Sequence, residues 1–106
     1  MVSAIADVSV IIPYYNREQY IGQAIESVLA QAIKPLEIII VNDGSRQSAR
    51  RHLDRYAEIC IIVDLPATVG AASARNEGIR RARGKFVAFR VAILLNFAAG
   101  FGVFDP

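Results

Sequence analysis

The sequence predicts an α/β domain with a mainly parallel sheet of about four strands and helices on both faces. Three observations predict it. Four short apolar runs rich in β-branched residues recur along the chain, at 8–13, 37–41, 59–63 and 85–89. Between them lie segments whose apolar residues follow a helical period. The connections are short and carry Pro, Gly, Asn, Asp and Ser, the residues that turn a chain.

Residues 8–13 read Val-Ser-Val-Ile-Ile-Pro. A continuous apolar run closed by proline is the pattern of a strand buried on both faces. Asn16 is the expected N-cap of the first helix, with Gln19 in the capping-box position. Tyr20, Ile21, Ala24, Ile25, Val28, Leu29 and Ala32 then define one apolar helix face. Lys34 and Pro35 end that helix. Residues 37–41, Glu-Ile-Ile-Ile-Val, make the second strand, stopped by the turn cluster Asn42-Asp43-Gly44-Ser45. Ser45 is expected to cap a helix over 46–57, with Leu53 and Tyr56 inward. Residues 59–63 are the third strand. A loop over 64–69 leads through Gly70 into a helix over about 71–83, with Ala72, Ile79 and Ala82 inward. Gly84 is expected as its C-terminal glycine. Residues 85–89 begin the fourth strand.

The segment 90–106 differs. It has one base, Arg90, and one acid, Asp105, and neither clean alternation nor a helical stripe. It is expected to extend the fourth strand or to pack as an apolar flap, not to form a second domain.

Composition narrows the function. The chain has 106 residues, 54% of them hydrophobic and 21% charged, which suits one globular domain. A formal net charge of +2 is too mild to imply a nucleic-acid surface. The basic clusters Arg50, Arg51, Arg55 and Arg80, Arg81, Arg83 fall in predicted helices and read as solvated faces. Cys60 is the single cysteine, so no intrachain disulfide forms and a cytoplasmic, reducing compartment is expected, with peripheral membrane contact left open. Its place in an apolar run makes it a buried structural thiol. No signal-peptide pattern opens the chain. The stretch 91–104 is interrupted by Asn96, Gly100 and Gly102 and is shorter than the roughly 20 residues of a spanning helix.

In open α/β sheets, ligands sit beyond the carboxyl ends of the strands. Tyr14, Tyr15 and Asn16 follow the first strand. Asn42, Asp43 and Gly44 follow the second. Arg75 and Asn76 lie on the helix before the fourth. A ring to stack on a base, a carboxylate to accept a base N–H and a guanidinium to offset phosphate charge together suit a nucleotide. Each alone is weak: a tyrosine after a strand usually packs, Asp-Gly is usually a turn, and Arg-Asn on a helix is usually solvated. Their convergence on one sheet edge is the signal.

These motifs resemble family 2 glycosyltransferases. Val-Ser-Val-Ile-Ile-Pro-Tyr-Tyr-Asn at 8–16 is similar to the family's opening strand and loop, and Ser-Val-Leu-Ala-Gln at 27–31 to the end of its first helix. Glu-Ile-Ile-Ile-Val-Asn-Asp-Gly-Ser at 37–45 looks like its second strand and acidic turn. The stretches 70–79 and 82–89 resemble its third helix and fourth strand. The likeness covers residues 8–89, in order and with natural spacing. It implies a Rossmann-like, three-layer GT-A half-domain over 1–89 and a nucleotide-diphosphate sugar, usually a UDP-sugar, as donor. It implies that Tyr15 lies against the base, Asp43 accepts the base imide N–H and Arg75 helps bind the nucleotide or its diphosphate. Pro13 and Tyr14 supply backbone contacts to the nucleoside, and Asn16 completes the substrate-binding set. Asn42 stands where the family often has another aspartate.

The family continues after this strand with an Asp-x-Asp or similar pair that holds Mg²⁺ or Mn²⁺ on the donor diphosphate. Here Arg90-Val91-Ala92-Ile93 occupies that place, and no Asp-x-Asp occurs in the sequence. The family's later half, with acceptor site and catalytic base, has no counterpart either. No catalytic residue, no metal ligand and no bound metal are therefore expected. An out-of-frame or truncated gene end is the favoured account of the tail, ahead of a natural short variant or a fragment.

The expectation is a glycosyltransferase-like domain that keeps the nucleotide subsite and performs no transfer as it stands. The family reaction is inverting transfer to an acceptor hydroxyl. The alternative is a non-catalytic module that self-associates through the apolar tail or an open sheet edge. A receiver domain would want an acidic cluster after the first strand. A dinucleotide fold would want Gly-x-Gly-x-x-Gly there. Neither is present.

Overall fold

The computed structural model describes residues 5–66 and 68–90, and the backbone of 103 and 104. Its elements are β1 (Val8–Tyr14), α1 (Glu18–Leu29), β2 (Glu37–Asn42), α2 (Gln47–His52), a 3-10 turn (Leu53–Tyr56), β3 (Ile61–Asp64), α3 (Ala71–Arg81), β4 (Phe86–Phe89) and β5 (Val103–Phe104). The fold is the expected α/β arrangement. The strand order is β3-β2-β1-β4-β5, with β1 to β4 mutually parallel and β5 antiparallel to β4. The rest of the tail, including the expected apolar flap, lies outside the described residues.

The central place of β1 explains its unbroken apolar run. It pairs with β2 on one side, Ser9 opposite Glu37 and Tyr14 opposite Asn42, and with β4 on the other, Ile11 opposite Phe89. Both of its faces are covered. Val10, Ile12 and Tyr14 join Ile38 and Ile40 under α1 and α2, whereas Ile11 joins Ile39, Val41, Val63 and Val87 against α3. The pleat thus sorts alternate residues into two cores. The chain winds outward from β1 to β2 to β3, then returns across β1 to β4. Right-handed crossovers place α1 and α2 on one face and α3 on the other. The order reverses between β1 and β4, where open sheets form their ligand crevice.

The helix face read from the sequence is the one that packs. Ile21, Ala24, Ile25 and Val28 are buried in α1, each larger side chain contributing about 1.5–3 kcal/mol. The helix caps differ from expectation. Arg17 is the N-cap residue of α1, and no side chain caps it. Asn16 instead adopts φ 50°, accepts the Arg46 N–H at 2.8 Å and donates its own N–H to Ser45 Oγ at 3.0 Å. Ser45 likewise does not cap α2, whose N-cap is Arg46. Both residues bond across the sheet end, to partners no local spacing reveals.

The single helix expected over 46–57 divides, because α2 gives way to the tighter turn that buries Leu53. The N–H groups of Ile59 and Cys60 both bond back to the Tyr56 carbonyl, at 3.1 and 2.8 Å. That closure delays β3 to Ile61 and leaves Ile59 exposed. Cys60 is buried, and burial pushes its thiol up to about 11. Among the described residues, no helix is long and apolar enough to cross a membrane.

Ala72 is exposed, and Ala74 and Gly78 face the sheet. Gly84 is not the helix-ending glycine: α3 ends at Arg81, Ala82 is extended, and Gly84 lacks a positive φ. Its smallness is needed for close approach, since a Cβ there would lie 2.8 Å from the Ser9 amide nitrogen. At Gly78 a Cβ would meet Ile11 Cγ2 at 2.5 Å. Alanine at 78 gains about 1 kcal/mol of helix propensity. Ile11 is fully buried and branched, so it has nowhere to move. Gly78→Ala is therefore expected to lower stability by about 1–2 kcal/mol net in urea denaturation.

Candidate functional site

A cleft of about 330 Å³ opens beyond the carboxyl ends of β1 and β2, against the first turn of α3. Pro13, Tyr14, Tyr15 and Arg17 line it from β1 and the following loop, and Asp43 from the end of β2. Thr68 and Gly70 come from the loop before α3, and Ala71, Ala74 and Arg75 from α3 itself. The structure brings together five of the six residues read from the sequence: Pro13, Tyr14, Tyr15, Asp43 and Arg75. Asn16 does not line the cleft. It holds the two loops together behind it.

Tyr14 and Tyr15 are adjacent and point to different environments. The Tyr14 ring is buried in the core beneath α1 and α2, and its hydroxyl donates to the Ala49 carbonyl at 2.7 Å. Burial, with nearby Glu18 adding to it, pushes its phenol up to about 12. Tyr15 is 48% exposed, which leaves its ring open for stacking.

Asp43 is 4% exposed. One carboxylate oxygen accepts the Val69 N–H at 2.7 Å and the other the Gly70 N–H at 2.9 Å. The Thr68 hydroxyl donates to the Asp43 carbonyl at 3.1 Å. The Asp43 N–H donates to the Tyr14 carbonyl at 2.8 Å. The residue therefore binds the loop before α3 to the ends of β1 and β2. A carboxylate has about four lone-pair directions, so a further N–H can still be accepted. Gly70 fits this latch because it carries φ 98°.

Behind Asp43, Asn42 explains its own departure from the family pattern. Its Nδ2 donates to Asp64 Oδ1 at 2.8 Å, and the same oxygen accepts from Arg50 Nε at 2.7 Å. Asn42 and Asp64 are register partners across β2 and β3. An aspartate at 42 would set two carboxylates side by side, whereas an amide supplies the donor.

Sequence reasoning missed Arg17 and Thr68. Arg17 was hidden by the expectation that residue 16 starts the helix. Arg17 and Arg75 share a property: among the described residues, neither guanidinium has a carboxylate or side-chain hydrogen-bond partner. Arg46, Arg50, Arg80, Arg81 and Arg83 are all ion-paired.

At the end of β4, where a divalent cation would need acids, stands Arg90. Its N–H donates to the Ile11 carbonyl at 3.0 Å, and its Nε donates to Ser27 Oγ on α1 at 3.0 Å. It is 8% exposed. Among the described residues no three His, Cys, Asp or Glu side chains converge on one point. Among the described residues, this strand end presents a guanidinium and no carboxylate, which does not fit a divalent cation.

A mainly parallel sheet with helices on both faces, and a cleft beyond the carboxyl ends of β1 and β2, define a doubly wound α/β domain with a candidate ligand site at its strand ends. The chain belongs to glycosyl transferase family 2, whose family model matches residues 9–90. The uncharacterized glycosyltransferase EpsJ of Bacillus subtilis (strain 168) is 43% identical over 86 residues, 77% of this chain and 24% of that protein. The putative teichuronic acid biosynthesis glycosyltransferase TuaG of the same organism is 44% identical over 85 residues, 77% of this chain and 34% of that protein. The chain thus spans about a quarter to a third of these relatives. The crystal structure of S. aureus TarS 1–349 in complex with UDP-GlcNAc superposes with a TM-score of 0.69 at 27% identity, over 80% of this chain and 26% of that one. The mannosyltransferase PcManGT from Pyrobaculum calidifontis, in complex with GDP-Man and Mn²⁺, superposes at 0.70 with 25% identity, over 81% of this chain and 27% of that one. The fold is that of the GT-A glycosyltransferases.

Proposed function

We propose that the cleft binds a nucleoside-diphosphate sugar, with UDP as the nucleotide, and that this chain by itself does not transfer the sugar. One observation carries the reading: the Tyr15 ring, the Asp43 carboxylate and two guanidiniums with no ion-pair partner among the described residues line one cleft beyond the carboxyl ends of β1 and β2. Tyr15 offers the stacking face. Asp43 accepts the imide N–H of the base while keeping the loop amides. The backbone of Pro13 and Tyr14 borders the nucleoside, and Arg75 faces the phosphates. The TarS complex with UDP-GlcNAc supports UDP; the GDP-Man complex of the mannosyltransferase shows that the base is not set by the fold alone.

Inverting transfer needs a base to take the acceptor's proton and a charge to stabilise the leaving diphosphate. In the family a divalent cation supplies that charge. Arg90-Val91-Ala92-Ile93 stands where the family has the acids that would hold it, and among the described residues no acid but Asp43 lines the cleft. Calorimetric titration is expected to show UDP binding, and GDP is expected to compete weakly. Incubation of the purified chain with UDP-sugars and Mn²⁺ is expected to release no UDP. Steady turnover would overturn the inactive reading, and tighter binding of GDP would overturn the choice of base.

A further inference from the structure

Resting on the reading of the cleft as a nucleotide site, we infer that Arg17 and Arg75 together hold the ligand's diphosphate, and that this binding needs no divalent cation. The argument starts from charge. A diphosphate carries several negative charges and binds in a partly enclosed cleft only where positive charge meets it. Carboxylates that would recruit a cation are missing from the place after β4, where the Arg90 guanidinium turns to Ser27 on α1. Among the described residues Asp43 is the one acid on the cleft wall, and both of its oxygens already accept loop N–H groups. Among the described residues, the cationic groups on the wall are Arg17 and Arg75.

Local pairing separates these two from their neighbours. Arg46 lies just behind the same loops, and its guanidinium is committed to Glu18. Arg50 is held by Asp54 and Asp64. Those pairs cancel their own charge. Arg17 and Arg75 have no such partner among the described residues, so their charge is available to a ligand. The Arg17 backbone is fixed, because its carbonyl accepts the N–H groups of Tyr20 at 2.9 Å and Ile21 at 3.0 Å as α1 begins. Its side chain therefore leaves a defined point on the rim. Arg75 joins the same lining from α3. Two planar forks lining one cleft suit phosphate oxygens better than one.

The test titrates the protein with UDP and with UMP, first in EDTA and then with Mn²⁺. The wild type is expected to bind UDP more tightly than UMP, with the same affinity in both buffers. Arg17→Ala should weaken UDP about tenfold and UMP much less, the size expected for one charge-assisted contact. Arg17→Lys should fall between, keeping the charge and losing the fork. The Arg17 side chain is exposed and makes no bond among the described residues, so the circular dichroism of the variants should match the wild type. Unchanged UDP affinity in Arg17→Ala, or UDP binding that requires Mn²⁺, would overturn the inference while leaving the nucleotide reading intact. Failure of both UMP and UDP to bind the wild type would remove that reading, and the inference with it.

Discussion

Asp43→Ala is expected to lower the melting temperature by roughly 15 °C and to abolish measurable UDP binding. The stability loss comes first from the loop. Hydrogen bonds to a charged acceptor contribute about 1.5–3 kcal/mol each. The Val69 and Gly70 N–H groups both bond to this one carboxylate. Removing it leaves two donors without acceptors at a site that is 4% exposed in the wild type. Some water will enter, so a net loss of about 3 kcal/mol is the reasonable figure, and about 5 °C per kcal/mol converts it for a domain of this size. The binding loss has two sources: the acceptor for the base disappears, and the wall formed by Thr68 and Gly70 moves. Thr68→Val separates them. It removes the hydroxyl that donates to the Asp43 carbonyl and leaves the carboxylate in place. A large loss of binding in Asp43→Ala with a small one in Thr68→Val assigns the effect to the carboxylate. Equal losses would assign it to the loop. Calorimetry reads the binding, and thermal melts followed by circular dichroism read the stability.

Where the sequence was legible, it was because one physical requirement acted on neighbouring residues. A strand covered on both faces must be apolar at successive positions, so β1 and β2 announced themselves. A helix against a sheet must bury every third or fourth residue, so Ile21, Ala24, Ile25 and Val28 were predictable as a face. The cleft residues at strand ends were legible for a related reason, since parallel strands all deliver their carboxyl ends to one edge. What was not legible depends on partners far along the chain. Asn16 and Ser45 have the composition of helix caps, yet each bonds across a separation of about thirty residues. Arg17 joins the cleft because Asn16 turns with positive φ and shifts the helix start. The Asp43 carboxylate could be placed at the strand end, but not its bonds to the amides of Val69 and Gly70. Local spacing carries no record of such contacts.

Glu37 is the sharpest case, and it yields the second large effect. An acid opens an otherwise apolar strand, and nothing in its local sequence names a partner for it. In the fold it is buried, with its side chain 3% exposed. Glu37 Oε2 accepts the Ser9 hydroxyl at 2.6 Å and the Arg83 N–H at 2.7 Å, and Oε1 accepts Arg83 Nε at 3.0 Å. The carboxylate thereby joins β1, β2 and the turn before β4. Burial alone would raise its pKa, but the bonds from Ser9 and Arg83 outweigh burial and hold it below its ordinary value of 4.5. A folded pKa below the unfolded one means that the stabilisation is present above about pH 4.5 and is lost as pH falls through the folded value. Glu37→Gln keeps one acceptor and the shape but loses the charge. It is expected to cost about 2 kcal/mol at pH 7 and to flatten the acid limb of a stability profile taken from pH 7 to pH 3. Asp64, also held below its usual range, keeps a smaller acid limb in the variant. Salt discriminates the cause. The Arg83 side chain is 69% exposed, so its ion pair is screened and contributes little. The Ser9 hydroxyl and the Arg83 N–H lie in the less accessible part of the cluster and are insensitive to ionic strength. The Glu37→Gln deficit should therefore be the same in low salt and in 1 M NaCl. A deficit that vanishes in high salt would mean that the exposed guanidinium, rather than the hydroxyl and the amide, holds the carboxylate in place.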